Sequence, residues 1–261
     1  MEREEMIDRI YNTFDEETRL TGSRQGQLEY LTTMQYIHKL VTPGTKVLEV
    51  GAGTGRYSIE LAKEGYDVTA VELVEHNLDI LRKNAQGMPN LLSFRGDAID
   101  LRAFADNSFN AVLLLGPMYH LYEREEQNKA LDEAIRVTKP GGILMTAFLS
   151  VYAIMHNNFL SDGFREGRKL NFDAKHQVRH FKEQVFTGFD IEEFEALFVG
   201  KPVQKIALLG TDNVLELAEK ADNFHMTEED FQEFADYHLQ ICEKRELLGI
   251  HSHLLYICQK A

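Results

Sequence analysis

Between residues 44 and 150 the chain alternates short apolar runs with helical stretches, and this alternation restricts the fold more than any other feature. Lys46-Val47-Leu48-Glu49-Val50, Asp67 to Glu72, Leu91 to Arg95, Phe109 to Leu115 and Ile143 to Leu149 read as strands. Tyr57 to Glu64, Asn77 to Ala85 and Glu125 to Thr138 read as helices between them, the last stopped by Lys139-Pro140-Gly141-Gly142. Short apolar strands joined through helices make a parallel sheet covered on both faces, with right-handed crossovers. The prediction is an α/β protein with a doubly wound sheet over 44–150.

The flanks read differently. Residues 1–43 form a helical N-terminal segment, polar over 1–20 and amphipathic over 27–41, where Tyr30, Met34, Ile37 and Val41 recur at helical spacing. Residues 151–202 form a variable cap, without a clear strand up to 188 and with a short helix from Asp190 to Val199. Residues 203–261 hold strands at Val203 to Leu209 and His253 to Gln259, which extend the sheet at one edge. Between them a long acidic helix runs from Thr227 to about Leu247; Thr227 caps it, and Glu228, Glu229 and Asp230 suit its positive end.

Composition narrows the partners. With 261 residues and 44% hydrophobic content the chain can bury a real core, but its net charge of -14 opposes a phosphate backbone. Nucleic acid is therefore a poor default partner. Cys242 and Cys258 are too few for a disulfide scaffold and lack metal-ligand spacing, so no metal is expected. Neither a signal peptide nor an apolar run long enough to span a bilayer is visible. The expectation is a cytoplasmic monomer or homodimer that works on a small molecule, with no membrane partner.

The first strand leads directly into Gly51-Ala52-Gly53-Thr54-Gly55 and then a helix. Glycines let the chain turn sharply and let a ligand approach bare backbone, and the helix start favours polar or anionic groups. Alone, such a loop is equally a tight structural turn. Glu72 ends the second strand, 21 residues after Gly51, where a carboxylate can accept both hydroxyls of a ribose. Asp97 follows the third strand, placed either to meet an adenine amine, with Ala98 beside it, or to cap its own turn. Three such features at the carboxyl ends of three strands fall where open α/β sheets bind ligands. A nicotinamide dinucleotide is disfavoured, because its fingerprint wants glycine where Arg56 stands.

Glu49-Val50-Gly51-Ala52-Gly53-Thr54-Gly55, Glu72, Asp97, the strand Phe109 to Leu115 and Lys139-Pro140-Gly141-Gly142 together resemble the class I S-adenosylmethionine-dependent methyltransferases over residues 44–150. The resemblance implies a Rossmann-like, seven-stranded, mostly parallel sheet in which His253 to Gln259 is the antiparallel strand between the fifth and sixth. It implies S-adenosyl-L-methionine as cofactor, with Glu49, Gly51, Ala52, Gly53, Thr54 and Gly55 about its methionine part, Glu72 and Leu73 at the ribose, Asp97 and Ala98 at the adenine, and the Leu115 carbonyl at its amino group. In this fold N-terminal segments often close over the cofactor, which makes Tyr11 a candidate wall and Arg24 a candidate partner for its carboxylate.

On the acceptor side, Tyr119 and His120 follow the fourth strand, and His120 is the candidate base because imidazole titrates near neutrality. Gly116-Pro117-Met118-Tyr119 is similar to the signature of amino-methylating enzymes but lacks its polar first residue. Residues 164–182 interleave Arg165, Arg168, Lys169, Lys175, Arg179 and Lys182 with Phe164, Phe172 and Phe181. That stretch is a lid for an anionic acceptor, an RNA contact, or a basic surface facing the acidic 216–236 region. The expected activity is methyl transfer to a small molecule; the alternatives are an RNA or protein methyltransferase and a non-catalytic S-adenosylmethionine-binding protein.

Overall fold

The structure is a computed structural model and describes residues 3–13, 16–182, 184 and 186–261. Two helices, α1 (Arg3–Tyr11) and α2 (Arg24–Leu40), precede an alternating region of β1 (Lys46–Val50), α3 (Arg56–Lys63), β2 (Asp67–Glu72), α4 (Glu75–Asn84), β3 (Leu91–Arg95), β4 (Phe109–Leu114), α5 (Arg124–Val137) and β5 (Thr138–Ser150). Then come α6 (Val151–Leu160), α7 (Phe164–Asn171), β6 (Gly188–Phe189), α8 (Ile191–Ala196), β7 (Val203–Gly210), α9 (Leu215–Ala218), α10 (Glu228–Ile241) and β8 (His253–Lys260). Single 3₁₀ turns occupy Pro117–His120 and Arg245–Ile250.

One sheet runs in the order β3-β2-β1-β4-β5-β8-β7. Strands β1 to β5 pair in parallel, whereas β8 is antiparallel to both β5 and β7. This is the doubly wound, mostly parallel sheet expected from the sequence; the two-residue β6 adds a short parallel pairing at the end of β5. Neighbouring residues of each strand feed opposite faces. Val47, Leu113, Met145 and Ile257 pack toward Ile37 of α2 and Leu61 of α3. Leu48, Val112, Leu114 and Leu144 pack toward Leu131 and Ala134 of α5 and toward Phe194 of α8. The residues on both faces are almost fully buried, which is why these strands lack the polar alternation of a half-exposed sheet.

Three elements differ from the expectation. Lys139-Pro140-Gly141-Gly142 does not separate a helix from a strand but lies inside β5. A register shift there lets Gly142 pass close to β4: a Cβ on it would meet the Asn110 carbonyl oxygen at 2.9 Å. The acidic helix stops at Ile241, because the polar run Glu243-Lys244-Arg245-Glu246 offers no apolar face to continue it. Its start is as read, with Thr227 and Asp230 forming a capping box. Residues 1–20 are helical only over Arg3–Tyr11; residues 1, 2, 14 and 15 lie outside the described set.

No helix among the described residues is long and apolar enough to cross a membrane. Leu113, fully buried between β1 and β5, tests the core. Leu113→Ala should destabilise the protein by about 2–5 kcal/mol, seen as a lower urea midpoint with an unchanged slope.

Candidate active site

A cavity of about 410 Å³ opens at the carboxyl ends of β1, β2, β3 and β4, within the size range of small-ligand sites. Its first lobe is built by the loop after β1. Gly51 and Gly53 have φ of 75° and 55°, in the left-handed region that glycine tolerates best. A Cβ on Gly51 would strike the Pro117 ring at 2.7 Å, and one on Gly53 would press on Glu16 at 3.2 Å. The loop amides are largely satisfied internally: Gly51 and Ala52 donate to the Val71 carbonyl, and Gly55 donates to that of Ala52. What the loop offers a ligand is therefore close approach to bare backbone more than free donors.

Glu72 ends β2 and is buried against this loop. Its carboxylate accepts the Gly53 N–H at 2.7 Å and the Val74 N–H at 2.9 Å. Burial raises its pKa, while these amides pull it down. Each oxygen keeps a second lone pair for a diol. Glu49, one strand over, is buried beneath the loop and accepts the Ser58 hydroxyl; burial pushes its carboxyl up to about 8 against that bond. Leu73, Thr54, Ala52, Ala98 and Leu115 complete the lobe. Asp97 lines it too and also caps its own turn, accepting the Ile99 N–H at 3.2 Å. It is further paired with Arg3 of α1, which lies across the lobe.

Two sequence candidates fall outside the cavity wall. Gly55 caps α3 with φ of 89° and packs under Leu81, so it shapes the loop without lining it. Arg24 is the clearer correction. It starts α2 on the side facing α10, where its guanidinium bonds Glu228 at 2.8 Å and lies 4.8 Å from the Phe231 ring centroid. Arg3, Arg19 and Arg56 do line the cavity, and of these Arg19 precedes α2. Gly26 lets the chain pass there, since a Cβ on it would sit 2.2 Å from the Arg19 carbonyl oxygen. Arg19 grips Glu29 through both carboxylate oxygens (3.1 and 2.9 Å) and Glu16 at 3.1 Å. Burial works against its charge, but Glu29 and Glu16 hold its pKa above the ordinary value.

The second lobe lies beyond Pro117 and joins α6 to the start of β8. His120 is buried, and its Nε2 shares a 3.0 Å hydrogen bond with the Tyr11 hydroxyl. Burial, reinforced by Glu16, keeps the Tyr11 phenol well above its usual range and therefore neutral. Phe186 packs on His120 with ring centroids 5.2 Å apart. Tyr119 lines the cavity as well, and its buried hydroxyl has no hydrogen-bond partner among the described residues. Leu149, Ala153 and Ile154 form an apolar wall.

At the polar end stands His253, a residue that sequence reading did not single out. Its Nδ1 lies 2.8 Å from Asp212 Oδ2, with Gln25 Nε2 3.2 Å from the same ring nitrogen. Asp212 is fully buried and also accepts the Ser252 N–H at 3.1 Å. Burial disfavours the charged ring, yet Glu29 and Asp212 bring the His253 pKa up to about 9. Asp212 is held well below the usual carboxylate range despite its burial, by His251 and His253. Among the described residues the basic stretch 164–182 makes no ion pair with the acidic 216–236 region that one reading set opposite it. Glu228 is met by Arg24, and Glu216 by Asn157, Lys220 and Ser252.

Residues 48–146 match the family model of a methyltransferase domain. The chain is 43% identical over 108 residues to the demethylmenaquinone methyltransferase of Renibacterium salmoninarum, covering 41% of this chain and 43% of that one. It is 35% identical over 170 residues to the demethylmenaquinone methyltransferase of Staphylococcus aureus strain JH9, covering 60% of this chain and 67% of that one. The chain spans about half the length of the curated relatives it matches. A solved SAM-dependent methyltransferase from Thermotoga maritima superposes with a TM-score of 0.62 at 18% identity, covering 100% of both chains, which shows a shared fold.

The electrostatics of His253 give a signed expectation. Its folded pKa of about 9 exceeds the unfolded 6.5, so its contribution to stability is complete below about 6.5 and fades as pH rises through about 9. Urea unfolding from about pH 6 to about pH 10 should show that decline, and His253→Gln should flatten it. Asp212→Asn should return the ring toward its ordinary pKa in proton NMR; a ring titrating as before would place the cause elsewhere.

Proposed function

The chain belongs to the class I S-adenosylmethionine-dependent methyltransferases, and we propose that it transfers a methyl group to a small-molecule acceptor held in the second lobe of its cavity. The observation that carries this reading is the convergence of the Gly51–Gly53 backbone, Glu72 and the Tyr119–His120 turn on one cavity. The residues fit the cofactor. The glycine backbone admits a close-packed amino-acid tail, Glu72 retains acceptor capacity for a ribose, and Asp97 and Ala98 stand one strand further on. Leu115, just after β4, would offer its carbonyl to the amino group, and Arg19, which lines the cavity where Arg24 does not, is a candidate partner for the carboxylate.

When bound, S-adenosylmethionine supplies an activated methyl group: its carbon–sulfur bond breaks as the bond to the acceptor forms, and the electron pair stays on sulfur. The protein's task is alignment and proton management. His120 takes a proton from the acceptor where one must leave, and Tyr11 orients its ring through the shared hydrogen bond. His253, fixed by Asp212 and cationic at neutral pH, steadies an acceptor oxygen at the opposite end of the lobe. Leu149, Ala153, Ile154 and Phe186 exclude water and favour an apolar body. An apolar molecule carrying one or two oxygens suits these walls, and the relatives named demethylmenaquinone methyltransferases support such an acceptor. RNA is a weaker alternative, because the chain carries a net charge of -14, which opposes a phosphate backbone.

Calorimetry with S-adenosylhomocysteine tests the cofactor half. Glu72→Ala should weaken binding by about 1–3 kcal/mol, and unchanged affinity would remove Glu72 from the ribose site. His120→Ala should cut turnover on a quinol or phenol panel while leaving S-adenosylhomocysteine affinity near wild type; equal turnover would take His120 out of the mechanism.

A further inference from the structure

Five of the eleven large hydrophobic residues that the described part of the protein exposes lie within residues 152–170: Tyr152, Phe159, Leu160, Phe164 and Leu170. Phe159 is 68% exposed and Leu160 55%. Phe159, Leu160 and Phe164 stand where α6 turns into α7, with the Phe159 and Phe164 rings edge to face at 5.9 Å. On α7 the buried Gly167 and Asn171 face Asn158 of α6 and the Met155 sulfur, so the opposite side points outward. That side carries Arg165, Arg168 and Lys169, all exposed, and the following segment adds exposed Lys175, Arg179 and Lys182. Six cations stand against only Glu166 and Asp173 in a chain whose overall charge is -14. Only Lys169 of the six has an ion pair among the described residues, a loose one to Glu166 at 3.8 Å.

We propose that the α6–α7 corner is a docking surface for an anionic lipid bilayer, with Phe159, Leu160 and Phe164 entering the interface and the cations of α7 and 165–182 resting on the headgroups. Apolar tips ringed by arginine and lysine match a bilayer surface, where acyl chains take the rings and anionic headgroups take the charge. RNA fits less well, since Leu160 and Leu170 offer no plane for a base to stack on. A second copy of the chain fits less well too, because a two-fold contact would set this basic patch against itself.

The same helix ties the surface to the cavity. Ala153, Ile154 and Asn157 of α6 line the second lobe, and Phe159 and Leu160 end that helix at the surface. On the methyl-transfer reading, an acceptor dissolved in the bilayer reaches the lobe along α6. The docking itself does not depend on that reading.

The test is co-sedimentation with vesicles of phosphatidylglycerol and phosphatidylcholine, set beside vesicles of phosphatidylcholine alone. The wild-type chain should pellet with the anionic vesicles and be released by salt. Phe159→Ser combined with Leu160→Ser, and separately Arg165→Glu combined with Arg168→Glu, should each lower retention on the order of tenfold. The chain has no tryptophan, so Phe159→Trp provides a single tryptophan whose emission, excited beyond the absorption of tyrosine, should shift to the blue on adding anionic vesicles. No retention of the wild type, equal retention of the variants, or an unmoved Trp spectrum would overturn the proposal. So would retention of single-stranded RNA in place of vesicles, or a dimer that the serine variant splits while vesicles are ignored. Calorimetry with S-adenosylhomocysteine runs separately, so failure of vesicle binding and failure of the methyltransferase reading are told apart.

Discussion

The pairing of β1 with β2 on one side and β4 on the other is the constraint from which the rest of the site follows. At that point the strand order reverses, and the connections leaving β1 and β4 diverge to opposite faces. A crevice must open between them, and everything in the first lobe takes its place from the ladder. Gly51 follows β1, Glu72 ends β2, Asp97 follows β3 and Leu115 follows β4. The register aligns these tips within one small space without any loop having to be long.

The second lobe rests on different physics. Its polar end gathers Arg19, Glu16, Glu29, His253 and Asp212 in a poorly hydrated setting, where each ion forfeits hydration that only good partners offset. The geometry supplies them: two oxygens of Glu29 on one guanidinium nitrogen, and a buried carboxylate on one ring nitrogen. Such a cluster is a poor way to stabilise a fold compared with apolar packing of the same volume. Glu16, Arg19 and His253 of this cluster line the cavity, and perturbed charged groups gather at functional sites more than in scaffolds.

Much of this was legible in the chain itself. The strands Asp67 to Glu72 and Leu91 to Arg95 lie where their apolar runs begin and end, because β2 and β3 are bounded by sharp turns. Tyr11 was legible only as a candidate wall over the cofactor; its bond to His120, 109 positions away, is set by tertiary packing that no local pattern encodes. Arg24 and Arg19 are a different matter. Both sit near the start of α2, and nothing in their spacing says which one turns inward; that is decided by Gly26 admitting the Arg19 backbone and by Glu228 and Phe231 claiming Arg24. His253 was within reach. Once the last strand is read as antiparallel, its first residue must lie at the same end of the sheet as the glycine loop, and Asp212 after β7 follows by the same logic. The long acidic helix was overextended because charge pattern marks a helix start more sharply than its end.

Strand β8 sits between β5 and β7, yet roughly a hundred residues of chain intervene between the end of β5 and its start. Without that strand, the β5 edge that pairs with it would present a long row of unpaired amides and carbonyls. Completing the sheet demands a contact between distant parts of the sequence, and such non-local pairing is intrinsically slow. The antiparallel insertion that delivers a histidine to the strand tips is also what closes an edge that would otherwise be a template for pairing with another chain.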